Sequence, residues 1–170
     1  MNRLNLFYLT ILVFFVLSPL TTMGFEMIAH RGIYQNYDRE DVDNFKCTAI
    51  KIFPPTHSYI ENTIPSIKRA FDIGADIVEL DVHPTKELNS KNDRMVVFHD
   101  WELTCRTNAS CESGCNCNEK KECITDQQSW DFLNKLDISY GYSSDGKTFP
   151  FRGKGIGMMP TFKEAKRSDT

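Results

Sequence analysis

Ala75-Asp76-Ile77-Val78-Glu79-Leu80-Asp81-Val82, followed after a polar interval by Met95-Val96-Val97-Phe98-His99-Asp100, is the part of this sequence from which the rest can be read. Ile77, Val78, Leu80 and Val82 form a β-rich run, and Glu79 and Asp81 stand at positions i and i+2 within it. Both carboxylates therefore leave the strand on one face. Two like charges so placed repel, and a hard divalent cation such as Mg²⁺ or Ca²⁺, which takes oxygen ligands, would remove the penalty. The alternative is a solvated polar face, but the apolar residues on either side predict a strand buried on both sides. Met95 to Phe98 predicts another short strand, stopping at His99-Asp100.

Toward the N-terminus, Thr63 to Asp72 places Ile64, Ile67, Ala70 and Phe71 on one helical face, with Pro65 in the first turn and Gly74 just past the end. Before it, Phe25 to Ala29 predicts a short buried strand ending at His30-Arg31-Gly32. Strand, helix, strand in this order predicts a parallel β/α arrangement, although the second and third strands are joined by only about a dozen polar residues. Residues 34–60 show no clean period and read as a long loop, a candidate substrate-facing segment. All three strands carry ionisable groups at or near their C-terminal ends: His30 and Arg31, Glu79 and Asp81, His99 and Asp100. In a (β/α) barrel those ends form the catalytic face.

Two histidines at neighbouring strand ends suit a general base and a general acid, since imidazole titrates near neutral pH. Arg31 adds a planar fork of donors matched to phosphate oxygens. With a cation at Glu79 and Asp81, these groups describe phosphodiester cleavage: one histidine activates an attacking hydroxyl and the other protonates the leaving alkoxide. His57 and His83 receive no role beyond a possible site edge.

The remaining features bound this reading. The chain has 170 residues, 41% hydrophobic and 25% charged, with a formal net charge of -3, which is ordinary composition for one domain and offers no basic stripe for nucleic acid. Asn2 and Arg3 precede the apolar run Leu4 to Leu20, and residues 1–24 read as a secretory signal, with an uncleaved membrane anchor as the alternative. No second hydrophobic run follows, so no stable membrane span is expected after cleavage, and the location expected is secreted or periplasmic. Cys47, Cys105, Cys111, Cys115, Cys117 and Cys123 make an even set that suits disulfides in an oxidising compartment, with fifteen pairings open. A zinc site from Cys111, Cys115, Cys117 and Cys123 is the rival, without paired C-x-x-C knuckles to support it. Asn108-Ala109-Ser110 matches a glycosylation acceptor.

In fixed order, His30-Arg31-Gly32, Glu61-Asn62-Thr63, Gly74-Ala75-Asp76 with Glu79-Leu80-Asp81-Val82, and Val96-Val97-Phe98-His99-Asp100 closely resemble the motifs of glycerophosphodiester phosphodiesterases. Leu136-Asp137, Gly141-Tyr142, Phe149 to Gly155 and Met159-Pro160-Thr161 resemble a bacterial, exported branch of that family. The resemblance implies a TIM-type (β/α) barrel, present here as its N-terminal part. It implies divalent-cation-dependent hydrolysis of a small glycerophosphodiester to an alcohol and glycerol 3-phosphate. By the same resemblance His30 and His99 are the acid/base pair, Arg31 contacts phosphate, Glu79 and Asp81 are two metal ligands, and Glu61 organises the site. The family takes a further metal-binding Glu, with a nearby Lys, from a later strand, so residues 25–170 read as a C-terminally truncated domain carrying a Cys-rich insertion at 105–123. A complete barrel typically needs about 250 residues. The Cys-bearing loop after the second histidine is similar to that of sphingomyelinase D enzymes, which leaves a phospholipase of that kind as one alternative. An inactive, exported binding protein is the other.

Overall fold

The computed structural model describes residues 24–40, 47–87 and 94–167; nearly all of the apolar leader at 1–24 lies outside them. Strand β1 (Ile28–His30), helix α1 (Ile64–Asp72) and strand β2 (Ile77–Glu79) form a β/α/β unit. β1 and β2 pair in parallel with Ile28 opposite Ile77, Ala29 opposite Val78 and His30 opposite Glu79. A parallel pair needs a crossover connection, and α1 supplies it. The helix starts where the sequence punctuates it. Thr63 accepts from the Ser66 amide while the Ser66 hydroxyl accepts from that of Thr63, a reciprocal cap worth about 1 kcal/mol, and Pro65 occupies the first turn, where no intrahelical partner is needed. Gly74, at φ +101°, reverses the chain into β2. Ser66, Ile67 and Ala70 form the buried stripe of α1.

The run at 75–82 differs from the single strand expected. β2 ends at Glu79, Leu80 and Asp81 leave the ladder, and β3 (Val82–Pro84) pairs with β4 (Met95–Val97) instead. That second pair is antiparallel, with Val82 opposite Val97 and Pro84 opposite Met95, which corrects the parallel arrangement predicted for the second and third strands. The physical reason is the connection: the interval between Pro84 and Met95 is too short for a helical crossover but ample for a reversal. The burial expected of the first two strands is also corrected. Ile28 is 60% exposed and Ile77 43% exposed, because among the described residues each of these strands has one neighbour in the sheet. β4 is different: its Val96 and Val97 are fully buried, bridged on the far side by Thr161 and by the Val97 amide donating to the Pro160 carbonyl at 2.9 Å.

Most of the hydrophobic core lies beyond the strands. Leu103, Leu133, Leu136, Ile138, Tyr142, Phe151 and Met159 pack with Val96 and Phe98, and with Ala49, Ile52 and Ile60 from the segment before α1. Full burial of a side chain such as Leu103 or Leu133 stabilises by about 1.5–3 kcal/mol. Single helical turns α2 (Trp130–Leu133) and α3 (Phe162–Ala165) punctuate this half, each capped by the side chain of the preceding Ser129 or Thr161. The described residues of 34–60 are therefore more than a loop. Tyr37 bridges Ile52, the Phe53 amide donates to Asn36, and a turn of 3-10 helix at Ala49–Lys51 buries Ala49.

The cysteines pair as Cys47–Cys105, Cys111–Cys117 and Cys115–Cys123, which removes the thiolates that the zinc alternative required. Three disulfides suit an oxidising compartment. No helix among the described residues is long and apolar enough to cross a membrane.

Candidate active site

The parallel register of β1 and β2 decides the first contact of the site. Because His30 stands opposite Glu79, the His30 Nε2 lies 3.6 Å from the Glu79 carboxylate at an exposed edge. Immediately after β1 the chain turns sharply: Arg31 has φ +60° and Gly32 φ +76°. A Cβ on Gly32 would meet the Ser66 hydroxyl at 2.7 Å and the Ser66 backbone at 2.9 Å, so glycine lets the turn pack directly on α1. The turn is pinned by the Arg31 amide donating to the Glu79 carbonyl and the Asn62 amide donating to the Arg31 carbonyl, both at 2.9 Å.

That turn aims the Arg31 side chain at two carboxylates. Its Nη1 donates to Glu61 at 3.2 Å, and its Nε lies 2.9 Å from Asp81 Oδ2, an ion pair in which the N–H is not aligned for a hydrogen bond. Asn62, also left-handed at φ +60°, donates from its side-chain amide to Asp81 Oδ2 at 3.0 Å and accepts from the Asp81 amide at 3.4 Å. The departure of Leu80 and Asp81 from the β2 ladder is what frees Asp81 to make these contacts. Left-handed non-glycine residues such as Arg31 and Asn62 cost about a kcal/mol or more each and persist where surrounding bonds over-determine them.

On the other side, His99 follows β4. Its Nδ1 donates to Asp100 Oδ1 at 2.5 Å, and Asp100 Oδ2 accepts from Arg106 Nε at 2.5 Å. Burial pushes the Asp100 carboxyl up, but the hydrogen bond from His99 and the Arg106 charge more than offset this and hold it below the usual carboxylate range. The buried Arg106 Nη1 then reaches Glu61 Oε1 at 2.9 Å. One chain of hydrogen bonds and ion pairs thus runs His99, Asp100, Arg106, Glu61, Arg31, Asp81, linking four of the expected site residues. His30 and Glu79 sit beside its Arg31 end. His30, Arg31, Tyr34, Tyr37, Arg39 and Glu61 line an open cleft of about 530 Å³.

Glu79 and Asp81 bring oxygen donors of the kind a hard cation takes, Glu79 facing His30 and Asp81 engaged by Arg31 and Asn62. Among the described residues no group of three or more His, Cys, Asp or Glu side chains is arranged to hold a metal ion. The two other histidines stand apart from the chemistry. His57 is tied to Gln35 and to the Tyr59 amide, and the buried His83 meets the His99 carbonyl with Nε2 at 3.1 Å while packing edge-on against Trp101.

Arg106 was not singled out by the sequence. It stands alone between Cys105 and Thr107 in the Cys-rich stretch, and its partners Thr48, Glu61, Asp100 and Tyr142 are spread along the chain. The spacing from His99-Asp100 offered the only local signal.

A model of the glycerophosphoryl diester phosphodiesterase family matches residues 30–169. Among solved structures, the chain is similar to the glycerophosphoryl diester phosphodiesterase domain of an uncharacterized protein from Mycobacterium tuberculosis, with 17% identity and a TM-score of 0.53 over 84% of this chain and 39% of that one. A glycerophosphodiester phosphodiesterase from Agrobacterium tumefaciens matches with 18% identity and a TM-score of 0.49 over 83% of this chain and 41% of that one. The chain therefore spans about two fifths of the length of these solved chains. No curated protein matches. The fold is that of a TIM-type (β/α) barrel, in part.

Proposed function

Since the chain belongs to the glycerophosphoryl diester phosphodiesterase family, we propose that it acts in the metal-dependent hydrolysis of a small glycerophosphodiester to an alcohol and glycerol 3-phosphate, outside the cytoplasm. The observation that supports the reading is the continuous chain of hydrogen bonds and ion pairs from His99 to Asp81, whose Arg31 and Glu61 also line an open cleft with His30.

In this reading His30 and His99 exchange protons with the diester. One takes a proton from the attacking water, whose oxygen forms the new bond to phosphorus, and the other gives a proton to the leaving alkoxide, so that the elements of water are added across the broken P–O bond. Asp100 holds the proton of His99 on Nδ1 and leaves Nε2 as the reacting nitrogen. Arg31 offers its remaining donors to the phosphate oxygens, its position set by Glu61 and Asp81. Glu79 and Asp81 would hold the divalent cation, Ca²⁺ or Mg²⁺. When bound, that ion supplies positive charge against the phosphate. Residues 1–24 act as the export signal and 25–170 as the partial catalytic domain. The disulfides are compatible with export.

The test is release of glycerol 3-phosphate from glycerophosphocholine by the purified chain with Ca²⁺, with Mg²⁺ and with chelator, beside His30→Ala. Metal-dependent release that disappears in the variant is expected. A folded chain that releases nothing with either ion would remove hydrolysis and leave binding of the diester as the activity.

A further inference from the structure

We propose that Arg106 is the positioning residue of this site, one buried guanidinium that sets the ring of His99 and the reach of Arg31 together. The inference rests on the reading of His99 and Arg31 as the groups that act on the diester.

Arg106 is 2% exposed, so it acts through its neighbours and not on a ligand. Its Nε donates to Asp100, its Nη1 meets both Glu61 at 2.9 Å and the Tyr142 hydroxyl at 2.5 Å, and its Nη2 donates to the Thr48 hydroxyl at 2.8 Å. The two carboxylates it holds are those that hold His99 and Arg31. Among the described residues of the cluster, no other side chain is bonded to both Asp100 and Glu61. Burial works against the Arg106 charge, but Glu61, Tyr142 and Asp100 hold it firmly protonated. Burial pushes the Tyr142 phenol up as well, so it stays neutral and can accept from the guanidinium.

The backbone around Arg106 is fixed from two other segments. Cys105, next to it, is joined to Cys47, and Cys47 is next to Thr48, so a single disulfide flanks the Arg106–Thr48 hydrogen bond at both ends. The Gly141 amide donates to the Arg106 carbonyl at 3.0 Å, and any side chain at 141 would overlap the Cys105 carbonyl. Lysine keeps the charge but not the fork, and cannot serve four partners in separate directions.

The charged and titratable groups that bear on His99 are Asp100, Arg106 behind it, Glu61 beyond, and His83 at its carbonyl. Removing Arg106 leaves Asp100 a stronger anion beside the imidazole, which favours the protonated ring.

The experiment compares Arg106→Lys and Arg106→Met with the parent chain. It reads the imidazole titrations of His99 and His30 by NMR, glycerophosphocholine hydrolysis in Ca²⁺ or Mg²⁺, and circular dichroism. The Lys variant is expected to keep the parent dichroism while kcat falls about 100-fold and KM moves by less than threefold. The His99 midpoint is expected to rise by about one unit in the Met variant and by less in the Lys variant, with His30 unmoved. A folded Lys variant whose kcat and His99 midpoint equal those of the parent overturns the proposal. Should the Met variant not fold, the Lys variant decides by the same two readings. A parent chain that does not turn over defeats the hydrolase reading alone, and the His99 titration then decides the role of Arg106.

Discussion

Replacing Glu61 by Gln removes a carboxylate that Arg31 and Arg106 share. Its Oε1 lies 3.2 Å from Arg31 Nη1 and 2.9 Å from Arg106 Nη1, and the side chain is 6% exposed. Taking one partner from a buried ion pair costs about 3–5 kcal/mol, mostly for the charge left behind. Each arginine keeps a second carboxylate, Asp81 or Asp100, and Gln retains an oxygen acceptor, so the low end applies, about 3 kcal/mol. For a domain of this size each kcal/mol moves Tm by about 2–4 °C, which gives a fall of roughly 6–12 °C. Scanning calorimetry at pH 7 measures it, and repetition in 0.5 M salt should give nearly the same fall, because buried pairs are weakly screened. A fall under about 2 °C would refute the reasoning, since it would put the cluster at the value of exposed ion pairs.

Removing Cys47–Cys105, which closes a loop of 58 residues, is expected to cost about 4 kcal/mol, against about 2 for Cys111–Cys117 with a separation of 6; urea unfolding of the two double-Ala variants tests the order. Asp100 ionises below its ordinary range in the folded chain, so its stabilisation is present above the unfolded carboxylate value of about 4 and is lost as pH falls through the lower folded value. Tm should therefore drop as pH is lowered below about 4, and Asp100→Asn should start lower at pH 7 with a flatter acid limb. Gly141→Ala drives a Cβ into the Cys105 carbonyl and should destabilise by about 3 kcal/mol or more while displacing Arg106; a change below 1 kcal/mol in urea unfolding would count against that close approach.

The elements that sequence made legible are those with local punctuation. Thr63, Pro65 and Gly74 mark α1 within a few residues, and the short apolar runs mark β1, β2 and β4. What stayed hidden depended on partners far along the chain. Nothing in Ala75 to Val82 says that the run changes partners at Leu80-Asp81, because that depends on where β1 and β4 lie. The length of the 85–94 interval did carry the antiparallel reversal, and the helical order around it pointed the other way. Residues 34–60 lacked a period because the described part of that span is ordered by single contacts, such as the Tyr37–Ile52 bridge and the Cys47–Cys105 bond. His30, Arg31, Glu79, Asp81 and His99 were visible as residue types at or near predicted strand ends, and Glu61 through the motif Glu61-Asn62-Thr63. Arg106 was not, since a lone arginine among cysteines looks like surface until its burial is known.

The Cys-rich stretch first reads as an insertion beside the motifs, yet its first residues do different work from the rest. Cys111–Cys117 and Cys115–Cys123 close short loops and stabilise the stretch locally. Cys105 reaches back to the segment before α1, and Thr48, next to its partner, receives Arg106. A guanidinium with four partners loses rotamer freedom, and an ordered backbone on both sides reduces what remains to be lost. Burying a cation then costs less than it would on a mobile loop, and the same constraint is passed to Asp100 and Glu61. In this arrangement the disulfide and the charge cluster are one device, so replacing Cys47 and Cys105 should loosen the Arg106 contacts as well as lower the stability of the chain.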